Sequence, residues 1–234
     1  MNTTLSVVMC TYNGARWVAE QIDSILAQDL QPDELIIQDD LSTDDTWAVL
    51  QDYAARYPQI HIYRNDARLG INDNFFSVLS RAHGEYISIS DQDDIWQPHK
   101  LSRQMSAIGN RLLCAHRSQH FTTDHLSIDN DTRMPNHVLT RLCFSSAFGG
   151  HTMVMHRRLL SLLPREGGRV ASPFCYDVVL ATTAAAYESI VFLNEPLVMQ
   201  RRTTSAATFT PPPKPQQNPL KYSALHRPHP ARLL

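Results

Sequence analysis

The chain of 234 residues has no apolar run approaching the roughly 18 residues that a membrane-crossing helix needs. Its first residues, MNTTLSVVMCTYN, lack the basic start and long apolar core of a secretory signal. Cysteine is scarce: Cys10, Cys114, Cys143 and Cys175 lie far apart and form no CxxC pair, which argues against a disulfide framework or a zinc knuckle. A reducing, cytoplasmic setting is therefore expected. No GxGxxG follows the first apolar run and no GxxxxGK[ST] occurs anywhere, which speaks against dinucleotide and P-loop chemistry. The net charge of −2 gives no bulk attraction for a polyanion, so no nucleic-acid partner is expected.

What is present is unevenly distributed. Of 23 acidic residues, 16 lie in the first 100 positions; from Pro196 onward there are none, against six Lys or Arg. The front of the chain has carboxylates to spare for a cation, and the end is basic.

The same front half alternates strand and helix patterns. Leu5–Cys10, Glu34–Gln38, Ile60–Arg64 and Glu85–Ser90 are short apolar runs of the buried-strand kind. Helical spacing over 15–28, 46–57 and 71–82 separates them, the second helix opening on Ser42-Thr43-Asp44-Asp45. This rhythm predicts an α/β fold with a doubly wound sheet. The second half is less legible. Leu101–Leu113 and Val178–Tyr187 read as helices, and Arg157–Leu163 as a short one. Thr152–His156, Ile190–Leu193 and Leu197–Gln200 read as strands, whereas 114–150 mixes polar stretches with short apolar runs.

In open α/β sheets ligands bind beyond the carboxyl ends of the strands. Three predicted strands end there in polar clusters: Thr11-Tyr12-Asn13, Asp39-Asp40, and Asp91-Gln92-Asp93-Asp94. Three carboxylates within four residues repel one another unless a cation or water separates them. Hard divalent ions, Mg²⁺ or Mn²⁺, take such oxygen ligands together with substrate phosphates. An acidic turn capping the next helix is the competing reading. Asp39 and Asp40 could accept from a base N–H or cap a helix; Tyr12 could stack on a base or pack as a loop aromatic.

The three segments LSVVMCTYNGARWVAEQIDSILAQ, DELIIQDDLSTDDT and GEYISISDQDDIWQPHKL together resemble the inverting family 2 glycosyltransferases of the GT-A fold, a Rossmann-like doubly wound mixed sheet flanked by helices. The likeness is closer to bacterial rhamnosyltransferase-like members. It continues more loosely through Gly149–Met153, Tyr176–Leu180 and Glu195–Val198. The resemblance implies a UDP- or dTDP-sugar donor, dTDP-rhamnose among the choices, and a glycan or lipid-linked glycan acceptor of bacterial surface polysaccharide. It assigns Thr11, Tyr12, Asn13, Asp39, Asp40, Asp91 and Trp96 to the nucleotide-sugar pocket. Asp93 and Asp91 become the ligands of a divalent metal, and Asp177 the catalytic base. Independently, Asp177 is the only acidic residue between Glu166 and Glu188, in an apolar neighbourhood, where it could also cap a helix. Arg64 or Arg68 would approach the base or the diphosphate.

One departure stands out. Relatives continue after the last strand with Tyr-Arg and a His-containing segment, whereas this chain reads Met199-Gln200-Arg201-Arg202-Thr203-Thr204-Ser205. A non-catalytic GT-A domain that binds nucleotide or glycan is the alternative it leaves open. His116, His120 and His125 read as a surface loop, and His151 as a structural histidine. Gly149-Gly150 is either a tight backbone approach to a sugar or a turn. The expected organisation is a nucleotide-sugar half over 1–100, an acceptor half over 101–205, and a disordered tail over 206–234. Seven of the 14 prolines fall from Pro211 onward. The basic tail suits either solvent or the anionic inner face of a plasma membrane.

Overall fold

A computed structural model describes residues 3–121, 138–142, 148–167, 169–170 and 174–202. The expected tail, His125 and Cys143 lie outside them.

The front half builds three βα units and a further strand: β1 (Leu5–Thr11), α1 (Val18–Leu26), β2 (Glu34–Asp39), α2 (Thr46–Arg56), β3 (Ile60–Arg64), α3 (Gly70–Arg81) and β4 (Tyr86–Ser90). There follow β5 (Ile95–Trp96), α4 (Lys100–Ile108), β6 (Leu113–Phe121), α5 (Leu139–Leu142), a 3₁₀ turn at Gly150–Thr152, β7 (Val154–His156) and α6 (Leu159–Leu162). A short hairpin, β8 (Arg165–Glu166) with β9 (Arg169–Val170), precedes α7 (Tyr176–Ala186) and β10 (Ile190–Arg201).

Eight strands form one sheet in the order β3-β2-β1-β4-β7-β6-β10-β5. β1 pairs in parallel with β2 and β4, β7 is antiparallel to both β4 and β6, and β10 is parallel to β6. The mixed GT-A-type sheet is thus present, and it is continuous across both halves of the chain. Helices cover both of its faces. Val7 and Met9 of β1 pack with α1 and α4 through Val18, Ile22, Ile25 and Leu101. Val8, pointing the other way, packs with α3 and α7 through Val78, Leu79 and Leu180. Burial on both faces is why β1 and β2 read as continuous apolar runs rather than alternating ones.

Three expectations change. Leu113 starts β6 instead of ending α4, which stops at Ile108 before Gly109 at φ +48°. His116 and His120 therefore sit on a strand, not on a surface loop, and His116 is buried. The two short strands expected at 190–193 and 197–200 are one strand, β10, whose register against β6 shifts on either side of Pro196. Proline has no N–H to give the ladder, so the strand bulges there instead of ending.

Candidate active site

The carboxyl ends of β1, β2 and β4 carry the clusters expected there, and hydrogen bonds lock the loops together. The Thr11 hydroxyl donates to Asp39 Oδ1 at 3.0 Å, and the Asp40 N–H donates to the Thr11 carbonyl at 2.8 Å. Asn13, at φ 48°, accepts from the Thr43 N–H at 2.8 Å, while its own N–H donates to Ser42 Oγ at 2.9 Å.

Asp39 is wholly buried and has both oxygens engaged. Ser42 donates from Oγ and N at 2.5 and 3.0 Å, and Arg64 Nε stands 3.3 Å away. These bonds hold the turn that follows β2. Asp40 accepts from Asn65 Nδ2, Leu69 N and Gly70 N at 2.8, 2.7 and 2.9 Å, which ties it to the start of α3. Arg68 lies over the Tyr12 ring, 3.5 Å from its centroid, with Nε 3.7 Å from Asp40 Oδ2. Arg68 thus spans Tyr12 and Asp40, whereas Arg64 braces Asp39.

The loop after β4 contributes four consecutive polar residues with four different fates. Asp91 is partly exposed, with Oδ2 3.4 Å from His151 Nδ1. Gln92, to which the sequence assigns no role of its own, accepts from Tyr12 N at 2.9 Å and donates to Tyr12 O at 3.1 Å. A Cβ on Gly14 would lie 2.2 Å from Gln92 Oε1, so this close approach requires glycine. Asp93 accepts nothing from Arg201 through its side chain; Arg201 Nε donates to the Asp93 carbonyl at 2.9 Å. Asp94 is buried, with Oδ1 accepting from the Arg201 N–H at 3.0 Å.

Asp91, Asp94 and His151 each offer a ligand atom, all within 4.8 Å of one another. Asp93 stands outside this triplet, because the backbone of β10 holds Asp94 inward. Asp94 Oδ2 is buried and finds no hydrogen-bond partner among the described residues. A buried carboxylate oxygen without a donor is costly, and a cation is the partner that this donor set fits.

Electrostatics tie the clusters together. The Cys10 thiol is pushed up by burial and then by the charges of Asp91 and Asp40. Burial, then Asp91 and Asp177, raise the Tyr176 hydroxyl. Burial and Asp91 raise Asp93 to about 6, and burial raises Asp94 to about 7 despite the opposing His151. Asp177 is also raised, by burial first, with the Val178 N–H opposing and Asp91 adding. Tips of β1, β2 and β4 and the start of α7 thus share one field of negative charge. Asp177 lies in the first turn of α7, whose N-cap is Cys175, so Asp177 is not the capping residue.

Trp96 is 3% exposed and packs in the core, with Lys100 Nζ 3.5 Å from its ring centroid. Arg201 is likewise internal, between Trp17 and Phe121 at 4.1 and 4.4 Å from their centroids and paired with Glu20 at 2.5 Å. Arg202 reaches His120 Nε2 at 2.8 Å.

A mixed sheet of this order, with carboxylates gathered at its rim, is the architecture of the GT-A fold. The family model described as Glycosyl transferase family 2 matches residues 6–160, and the chain belongs to that family. It is 43% identical over 105 residues to an uncharacterized protein of Mycobacterium tuberculosis, across 43% of this chain and 30% of that one. It is 35% identical over 105 residues to the dTDP-rhamnosyl transferase RfbG of Shigella flexneri, across 43% of this chain and 36% of that one. The matched segment is thus about a third of either relative's own length. Among solved structures, the mannosyltransferase PcManGT of Pyrobaculum calidifontis, in complex with GDP-Man and Mn²⁺, superposes with a TM-score of 0.67 at 21% identity, covering 86% of this chain and 57% of that one. No helix among the described residues is long and apolar enough to cross a membrane.

Proposed function

We propose that the chain transfers a sugar from a UDP- or dTDP-type donor to a hydroxyl acceptor, with inversion at the anomeric carbon. The observation that carries this reading is a chain of contacts at one end of the sheet: Tyr12 bonds to Gln92, the neighbour of Asp91, Arg68 spans Tyr12 and Asp40, and the charges of Asp91 and Asp177 both act on the buried Tyr176. In this reading the slot for the base lies beside the stacked Tyr12 and Arg68, and Asp40, next to Asp39 in the chain, takes the pyrimidine N–H. Thr11 and Asn13 hold the walls of that slot in place. A divalent ion, Mn²⁺ or Mg²⁺, held at the Asp91–Asp94 loop would neutralise the leaving diphosphate.

In this reading Asp177 takes the acceptor proton. Its raised pKa makes it a stronger base than an ordinary carboxylate, and its place on a helix packed against the sheet fixes it relative to the donor pocket. The likeness to RfbG supports dTDP-rhamnose as the first donor to test. A glycan or lipid-linked glycan of surface polysaccharide, met at the inner face of the plasma membrane, is the proposed acceptor.

The test is a thermal-shift screen of UDP- and dTDP-sugars with and without Mn²⁺, followed by donor turnover. Ligand that binds only the folded state raises the melting temperature. Metal-dependent stabilisation by one donor, with hydrolysis or transfer, is the expected result. Tight nucleotide binding without any turnover would instead favour a non-catalytic binding domain, a reading that the unusual Arg201-Arg202 ending motivates.

A further inference from the structure

His151 is buried beside two carboxylates, on a turn that the fold constructs around its ring. A Cβ on Gly149 would stand 2.6 Å from His151 Cε1 and 2.9 Å from Nδ1, so only glycine leaves the ring where it is. On the far side of the imidazole, Nε2 lies 2.7 Å from Ser118 Oγ on β6. With Nε2–H donating to that hydroxyl, the neutral ring carries its lone pair on Nδ1. Nδ1 is the atom that faces Asp91 Oδ2, at 3.4 Å. This is the arrangement of a ligating histidine whose second nitrogen is anchored.

An ion pair between His151 and Asp91 would account for the histidine alone. It does not account for Asp94, which belongs to the same triplet and has Oδ2 buried without a donor while Oδ1 is turned to the Arg201 N–H. A cation shared by the three residues satisfies both.

Resting on the cation proposed above, we infer that His151, through Nδ1, is the third protein ligand of a divalent-ion site completed by Asp91 and Asp94, and that this nitrogen biases the site toward a first-row transition ion over Mg²⁺. Imidazole suits transition ions, whereas Mg²⁺ favours an all-oxygen shell.

The test uses Mn²⁺ as the probe on the whole chain, alone and with UDP or dTDP, read by pulsed electron paramagnetic resonance. Nitrogen coupling to the bound Mn²⁺ is expected, and it should change when only the histidines carry ¹⁵N. The signal should survive His120→Ala and vanish in His151→Ala, with Mn²⁺ affinity falling at least tenfold and Mg²⁺ affinity less than threefold. If His151→Ala fails to fold, the labelled wild type still reports the nitrogen, and Ser118→Ala, which releases the ring, should weaken Mn²⁺ several-fold. Mn²⁺ bound without histidine nitrogen coupling overturns this inference and leaves the cation reading standing. No Mn²⁺ bound by the wild type in any arm overturns both.

Discussion

The side-chain amide of Gln92 pairs with the backbone of Tyr12 in both directions, accepting from its N–H at 2.9 Å and donating to its carbonyl at 3.1 Å. The loop after β4 is thereby fastened to the end of β1 as though by one more rung of the sheet. Replacing Gln92 with Leu removes both bonds. At about 1 kcal/mol each, the expected loss in nucleotide affinity is up to roughly thirtyfold. Titration calorimetry with UDP and dTDP would measure it. Gly14→Ala should act in the same direction, because its Cβ would displace the Gln92 amide.

Asp177→Asn should abolish transfer and leave donor binding within about twofold. The amide keeps the size of the carboxyl and its place in α7 but cannot take a proton. Turnover above about a tenth of wild type, measured under saturating donor, would remove Asp177 from the mechanism.

The acidic cluster should leave a signature in the pH dependence of stability. The folded pKa values of Asp93 and Asp94, about 6 and about 7, lie above their ordinary range. The folded state therefore binds protons more tightly than the unfolded chain, so these groups favour folding as pH falls toward 5 and oppose it as pH rises through 7. Without added metal, the cluster's contribution should make the protein more stable at pH 5.5 than at 7.5. Asp94→Asn should flatten that slope in thermal melts. Mn²⁺, which needs the deprotonated carboxylates, should stabilise most at the higher pH.

Arg201→Ala should lower stability by about 2–4 kcal/mol, as expected for losing a buried charged side chain packed between two rings. It empties the space between Trp17 and Phe121 and releases Glu20 and the Asp93 carbonyl. The exposed Arg202→Ala should change stability by no more than about 0.5 kcal/mol. Denaturant unfolding of the two variants compares them directly.

The front half was legible because each element there carries its own signal. β1 and β2 are buried on both faces and read as unbroken apolar runs, and α2, with Asp45 at its N-cap position, is preceded by Asp44, whose Oδ1 accepts the Thr46 N–H at 3.1 Å. β6 was not legible. Its residues LCAHRSQHF change from apolar to polar midway, since the first four positions are buried and the next four are only partly so. Gln92 was missed because an amide between three aspartates draws no attention until its backbone partner is known. His151 carries no local signal in the sequence, because its partners are 33 and 60 positions away, at Ser118 and Asp91.

By itself, the order of residues determined that polar clusters would end β1, β2 and β4, acidic in the last two, because a strand's burial pattern and its closing turn are local matters. Which carboxylate turns inward was decided only by tertiary structure. Asp93 and Asp94 are neighbours of the same type, and they differ because the backbone N–H of Arg201, 107 positions away from Asp94, reaches one of them and not the other. A hydrogen bond of that kind exists only once β10 has been laid into the sheet.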